Sequence, residues 1–374
     1  MQELINSISY LENEFTTDQQ SKIFTGLNKV ELATFIDIMT AKKGSQRYNH
    51  DSRSWSSQQF NWGNGRASLH IRDQMVLAIT KLHTNLPFAV IYDKYSLQRW
   101  SKNSDTHRSF TQVHNSAEDE PFVCKQIQHA LQIVEQNADV AFISGLRRSP
   151  ELIQSFPQSD IIPQLNRVKL VVDVKIQEIA HGRTAEQRQV TFSGKHKYNG
   201  IKTTCCVTPQ GLCVFTNEPG SLHDKTFFEQ HQDVIKNYLG PNNYIMADSG
   251  YQGIQTSINA VLPFKKPKGR ELLQDQITYN NVVKHHRIIV EHFFGRLTIK
   301  SALMKQKYTM HKKNYTTWIL FGYAFTNFHI LQKPMRRVED IQQLQMEAQE
   351  PSDDNQDIDR DILGVDDHSQ SEAE

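Results

Sequence analysis

Apolar positions recur at helical spacing from Leu4 to Met39, most clearly at Leu27, Val30, Leu32 and Phe35 to Met39, so the chain opens on small helices. The stretch Gly44 to Ser68 is polar, rich in Ser, Asn, Gln and Gly, and carries Trp55, Phe60 and Trp62; it reads as a loop with aromatic anchors. A second helical run, Leu69 to Leu82, places Leu69, Met75, Val76, Ile79 and Leu82 on one stripe. Asn85 and Pro87 stop that run, and Phe88 to Tyr95 begins another. Helix, tight turn and helix are compatible with a helix-turn-helix. Ser101 to Glu120 is polar and aperiodic, as in a linker, and helical spacing returns from Phe122 to Phe142.

After Pro150, Pro157 and Pro163 the pattern shortens. Lys169 to Ile176 is rich in Val and Ile and reads as a strand, followed by strand-like runs at Gln189 to Phe192, Lys202 to Val207 and Gly211 to Asn217, with Pro209-Gln210-Gly211 as a turn. His223 to Leu239 is helical, with Phe227, Phe228, Val234, Ile235 and Leu239 apolar, and Tyr244 to Ala247 is a short strand ending at Asp248. Strands, a helix, a further strand and then more helices predict an α/β fold: a mixed sheet covered by helices, preceded by an all-α region.

The 374 residues exceed the roughly 100 to 200 of one domain, so two folded units and a tail are expected. The most apolar stretch, Trp318 to Leu331, is interrupted by Asn327 and His329 and is shorter than the roughly 20 apolar residues of a spanning helix, so no membrane insertion is expected. Met1 to Tyr10 lacks the basic-then-apolar order of a secretory signal. The four cysteines, Cys124, Cys205, Cys206 and Cys213, form no C-x-x-C pair, which argues against a disulfide framework or a cysteine zinc site and for a reducing, intracellular compartment. His285, His286 and His292 are irregularly spaced and lack a cysteine pair, so they read as helix surface or phosphate contacts.

The formal net charge of +1 conceals a strong asymmetry. Residues 339–374 hold 13 acids against one base, Arg360, whereas residues 166–338 carry a net +14. The tail is expected to be disordered. Within the basic block, residues 261–313 contain 12 bases and three acids, which suits a phosphate backbone. Lys265-Lys266-Pro267-Lys268-Gly269-Arg270 reads as a DNA-contacting loop or as a nuclear import signal.

Among the few acids of this block, three stand out. Asp173 lies inside Leu170-Val171-Val172-Asp173-Val174, where a carboxylate is costly unless paired, protonated or bound to a cation. Asp248 ends a strand and precedes Ser249-Gly250-Tyr251-Gln252-Gly253, at the sheet edge where ligands bind. If the two strands are neighbours, the two carboxylates favour a divalent cation, and oxygen donors select Mg²⁺ or Mn²⁺ over Zn²⁺. Glu291 lies off the core stripe of Val290, Phe293, Phe294 and Leu297, on the side shared with Lys284 and Arg287. Each also has a plain structural reading: a hydrogen-bonded strand acid for Asp173, a turn former for Asp248, and a partner of Arg287 one helical turn away for Glu291.

Four motifs in order, Phe192-Ser-Gly-Lys-His-Lys-Tyr-Asn-Gly-Ile-Lys202, Glu218-Pro-Gly-Ser-Leu-His-Asp224, Ala247-Asp-Ser-Gly-Tyr-Gln-Gly253 and Arg287-Ile-Ile-Val-Glu-His-Phe-Phe-Gly-Arg296, resemble the DDE nuclease of Harbinger and IS5-type transposases over residues 165–332. The resemblance implies a ribonuclease H-like core with Asp173, Asp248 and Glu291, which lie 75 and then 43 residues apart, as catalytic, metal-binding triad. It implies His223 and Asp224 as supporting groups, Asp224 having the alternative of a helix cap. Val174 and Lys175 replace the Gly-Thr type pair that commonly follows the first aspartate in that family.

The implied reaction is hydrolysis and strand transfer at DNA phosphodiesters with two divalent ions, Mg²⁺ or Mn²⁺, roughly 3.5 to 4 Å apart. The implied DNA contacts are Lys195, Lys197, Lys265, Lys266, Lys268, Arg270, Lys284, Arg287 and Arg296. The segment Ile71 to Pro87 resembles the helical part that precedes such nucleases, giving residues 1–100 as a helical, DNA-reading region, 101–164 as linker and helices, 165–332 as nuclease and 333–374 as acidic tail. Expected partners are terminal inverted repeats and target DNA, a separate DNA-binding helper protein and further copies of the chain. The expected location is the nucleus in a eukaryote and the cytoplasm otherwise. The alternative is a domesticated, catalytically silent descendant that only binds DNA or chromatin.

Overall fold

A computed structural model describes residues 17–40, 47–49, 54–56, 61–62, 66–67, 71–88, 90–91, 116–147, 155–180, 191–194, 196–216 and 224–335. The chain opens on α1 (Asp18–Thr25) and α2 (Lys29–Thr40). Thr17 starts α1 by accepting the Gln20 N–H at 3.2 Å, and Gly26 ends it at φ +74°, donating to Lys22 O at 2.9 Å. A Cβ at Gly26 would stand 2.8 Å from the His83 ring, so only glycine meets both demands there.

Where the polarity of residues 44–68 predicts a loop, the structure has two short ribbons: β1 (Arg47–Asn49) against β2 (Ser54–Ser56), and β3 (Asn61–Trp62) against β4 (Arg66–Ala67). In the first, Arg47, Tyr48 and Asn49 are registered opposite Ser56, Trp55 and Ser54, and a three-residue strand is too short to show an apolar alternation in sequence.

Helix α3 (Ile71–Thr84) follows, and α4 spans Ser116–Phe142. The polar stretch expected to be linker up to Glu120 therefore contains the first turns of α4. Glu118, Asp119 and Glu120 suit a helix N-terminus through the macrodipole, a preference that apolar periodicity does not register. The short α5 (Ser144–Arg147) leads into the sheet. Of the second helix expected from Phe88 to Tyr95, Phe88, Val90 and Ile91 are helical and the rest lies outside the described residues, as does the acidic tail from residue 336.

The sheet has six strands: β5 (Val168–Glu178), β6 (Phe192–Ser193), β7 (Tyr198–Val207), β8 (Cys213–Thr216), β9 (Tyr244–Met246) and β10 (Ala260–Val261). They are ordered β10-β9-β5-β7, with β6 and β8 both pairing with β7. β5 runs parallel to β9 and antiparallel to β7. The class implied by the resemblance, a mixed sheet flanked by helices, is the one found. α6 (Asp224–Leu239) connects β8 to β9, and α7 (Gln274–Lys300), the short α8 (Ala302–Lys305) and α9 (Tyr315–Gln332) complete the layers.

One core joins the N-terminal helices to the nuclease-like part. Phe35 of α2 stacks on Phe142 of α4 with ring centroids 5.3 Å apart and meets Phe325 and Phe328 of α9 at 5.4 and 5.1 Å. Cys205, Cys206 and Cys213 are buried in this core without a disulfide among them, with the Cys205 and Cys213 sulfurs 3.2 Å apart. No helix among the described residues is long and apolar enough to cross a membrane.

His329, one of the two polar breaks in the apolar run of α9, is 4 % exposed, and its Nε2 has no hydrogen-bond partner. Burial, followed by the nearby positive charges of Lys300 and Arg296, pushes its pKa down from 6.5 to about 3. Between those values the unfolded chain binds a proton that the native chain refuses, so stability falls as pH drops through this window, by up to about 1.4 kcal/mol per pH unit. A His329→Phe variant should show a flatter acid limb in urea melts between pH 6 and 4, and an unchanged limb would contradict this assignment.

Candidate active site

β5 pairs with β9 only as far as Val171 opposite Met246, and beyond that it keeps only β7 as its partner, through Glu178 opposite Gly200. Two residues past this last parallel pair lies Asp173 on β5, and two past it lies Asp248 after β9. β9 ends there while β5 runs on to Glu178, so Asp173, in the middle of β5, and Asp248, just past the end of β9, stand where the two strands cease to pair; the C-terminal edge of parallel strands is where open sheets present ligand-binding groups.

The local turn explains the position of Asp248. Its Oδ1 accepts the Gly250 N–H at 2.8 Å and caps the 3₁₀ turn Ser249–Tyr251. Its Oδ2 has no hydrogen bond. The turn-forming role read from Asp-Ser-Gly is therefore real, yet it uses one oxygen only.

α7 supplies the third acid. Ile289, Val290, Phe293 and Leu297 are buried, which turns the Arg287 and Glu291 side towards Asp173. Arg287 then bridges two of the three acids: Nη1 donates to Asp173 Oδ2 at 2.8 Å and Nη2 to Glu291 Oε1 at 2.6 Å. The expected helical pair of Glu291 and Arg287 is present, and the same guanidinium reaches across 114 residues of sequence to Asp173. Asp173 Oδ1 accepts from the Val174 N–H at 2.8 Å.

The Asp173 carboxyl is pushed above its ordinary range. Burial is the main cause; the Val174 N–H and Arg287 oppose it, and the negative charges of Asp248 and Glu291 add to it. All three predicted acids thus lie in one electrostatic neighbourhood. Lys175 occupies the same strand face two residues further on, opposite Thr203, and burial alone pushes its pKa down to about 8.

Among the described residues no group of three or more His, Cys, Asp and Glu side chains stands close enough to hold a metal ion as placed. The donor chemistry does fit one. A single guanidinium bridges two of the three carboxylates, and among the described residues each of Asp248 and Glu291 retains one oxygen without a hydrogen bond, a hard-oxygen set of the kind that takes Mg²⁺ or Mn²⁺.

The basic residues divide by location. Lys265, Lys266, Lys268 and Arg270 are exposed on the loop before α7. Asn280 of α7 anchors the base of that loop, accepting the Phe264 N–H at 2.7 Å and donating to Phe264 O at 3.0 Å. Lys266 is paired with Glu271 at 2.6 Å. Lys284 is exposed one turn before Arg287, and Lys197 is exposed at φ +61° in the turn before β7. Arg296 lies on a different face of α7 and donates to Lys333 O at 3.2 Å. Lys195, His223 and the side chain of Asp224 lie outside the described residues, although Asp224 is the first residue of α6.

The arrangement is a mixed sheet with one aspartate inside β5, a second just past the end of the parallel neighbour β9, and a glutamate on the covering helix α7. Residues 172–327 match the family model of the DDE superfamily endonucleases, so this part of the chain is similar to that superfamily's endonuclease domain. The chain is also 32% identical over 149 residues to a probable transposase for insertion sequence element IS702 from Microchaete diplosiphon, covering 38% of this chain and 51% of that protein. The chain therefore spans about half the length of the curated relative it matches. No solved structure matches it.

Proposed function

We propose that the protein is a metal-dependent transposase that cuts DNA at phosphodiester bonds and joins the released ends to a target, with Asp173, Asp248 and Glu291 as the metal-binding triad. The observation that carries this reading is the convergence of these three acids, all within the matched segment, at the point where β5 and β9 separate. Bound divalent cations would supply activation of the attacking hydroxyl and charge stabilisation at the departing oxygen. The three carboxylates would hold them, and the β9 turn would keep Asp248 pointed outward through its bond to Gly250.

The exposed loop with Lys265, Lys266, Lys268 and Arg270, together with Lys284, would carry the DNA backbone past the acids. Terminal inverted repeats and target DNA would be the substrates, with further copies of the chain and a DNA-binding helper protein as partners. The site of action would be the nucleus in a eukaryotic host and the cytoplasm otherwise. A catalytically silent DNA-binding descendant is the second reading, favoured by the engagement of Asp173 and Glu291 by Arg287.

The deciding experiment is cleavage of DNA carrying the terminal repeats that flank the gene. Strand cutting is expected with Mg²⁺ or Mn²⁺ and should be abolished by a chelator. Binding of that DNA with no cutting in either metal would establish the silent descendant instead.

A further inference from the structure

We infer that Arg287 is a built-in competitor of the divalent cation, so that the metal site assembles only when this guanidinium leaves the acids. The inference rests on the triad reading above and concerns how that site is controlled.

The geometry is specific. Arg287 donates one nitrogen to Asp173 Oδ2 and the other to Glu291 Oε1, at 2.8 and 2.6 Å, so it occupies the span between a strand acid and a helix acid. Those are two of the three side chains that must converge on a metal. A guanidinium cannot be deprotonated at any working pH, so its charge is removed only by movement. Its side chain is 20% exposed, which leaves a path to solvent, whereas Asp173 is held in place through the Val174 N–H.

A cation coordinated by the same oxygens would meet a fixed positive charge at contact distance, and the two therefore exclude one another. Among the described residues, in this arrangement with Arg287 between two of the acids, no group of three acids stands close enough for a metal. The three carboxylates nonetheless exceed the single neutralising charge, so the site still attracts a cation that can displace the arginine.

A merely structural ion pair predicts that removing Arg287 weakens everything at the site. Competition predicts the opposite for metal affinity. The test is titration of the full chain with Mn²⁺ in the absence of DNA, following free Mn²⁺ by electron paramagnetic resonance, for the wild type, Arg287→Gln and Arg287→Lys.

Arg287→Gln is expected to bind Mn²⁺ about ten-fold more tightly than the wild type, because a partly buried charged partner of the acids is gone. Its melting temperature in chelator should fall, and Mn²⁺ should restore it. Arg287→Lys retains the charge without the two-pronged geometry and should lie between the two. Equal or weaker Mn²⁺ binding by both folded variants would overturn the competition.

Asp248→Asn in each background separates this failure from failure of the triad. If Asp248→Asn abolishes Mn²⁺ binding while Arg287→Gln leaves the affinity unchanged, the triad stands and the competition falls. If Mn²⁺ binding is insensitive to Asp248→Asn in both backgrounds, the triad reading itself falls, and the competition with it.

Discussion

Asp248→Asn is expected to lower metal-dependent DNA cleavage by at least about 10³-fold, equivalent to about 4 kcal/mol of transition-state stabilisation. The substitution isolates the charge. An asparagine oxygen can still accept the Gly250 N–H that Asp248 accepts at 2.8 Å, so the turn after β9 should persist. Global stability should move by less than about 0.5 kcal/mol, as for a surface change, and binding of uncut DNA should persist because the exposed bases are untouched. What disappears is one anionic ligand and the field it contributes at Asp173. Single-turnover cleavage, measured beside a binding isotherm, checks this. Cutting at the wild-type rate by the folded variant would remove Asp248 from the metal-binding set.

The second large effect is structural. Asn327, the other polar break in the apolar run of α9, is fully buried and makes three bonds. Its Nδ2 donates to Phe142 O at 2.6 Å and Cys213 O at 2.7 Å, and its Oδ1 accepts the Cys213 N–H at 2.8 Å. One side chain therefore bonds the end of α4 and the first residue of β8, both of which are buried.

Asn327→Leu retains the side-chain size and removes those three bonds to buried backbone groups, at about 1–3 kcal/mol each before relaxation. A net loss of about 4 kcal/mol is expected, read as a shift of the urea midpoint at constant slope. A loss below about 1 kcal/mol would mean that the backbone groups find other partners.

Asn327 also marks the boundary of what the sequence discloses. As a sequence feature it argues against a membrane span; its three bonds join positions 114 and 185 residues away, which no local pattern encodes. The strands and helices of the sheet were legible because they bury regular stripes: Val171 and Val172 on β5, Ile245 and Met246 on β9, and Val290, Phe293 and Leu297 on α7. The two-residue strands β6 and β10 bury too little to leave such a pattern.

At the site, the positions of the acids followed from strand ends and helix faces. The role of Arg287 did not: its link to Glu291 is a helical spacing of four, whereas its link to Asp173 depends on α7 crossing β5, a tertiary fact. The start of α4 was missed because acids at a helix N-terminus look the same as a polar linker.

The segment between α7 and α9 is fastened on both sides. Ser301 Oγ donates to Leu82 O at 3.0 Å, His83 Nδ1 contacts Lys300 O at 2.7 Å, and Asn85 Nδ2 donates to Gln306 Oε1 at 2.6 Å, all on the N-terminal α3 side. From the sheet side, Gln177 of β5, four residues after Asp173, donates to Leu303 O at 2.7 Å and Gln306 O at 2.9 Å. β5 and the leading helices thus hang from one hinge pin. For exchange between proteins, this makes residues 172–327 an embedded organ rather than a detachable cassette: a recombined chain that inherits them without its own α3 would keep the bonds from Gln177 to Leu303 and Gln306 but lose those that fasten Lys300, Ser301 and Gln306 to His83, Leu82 and Asn85.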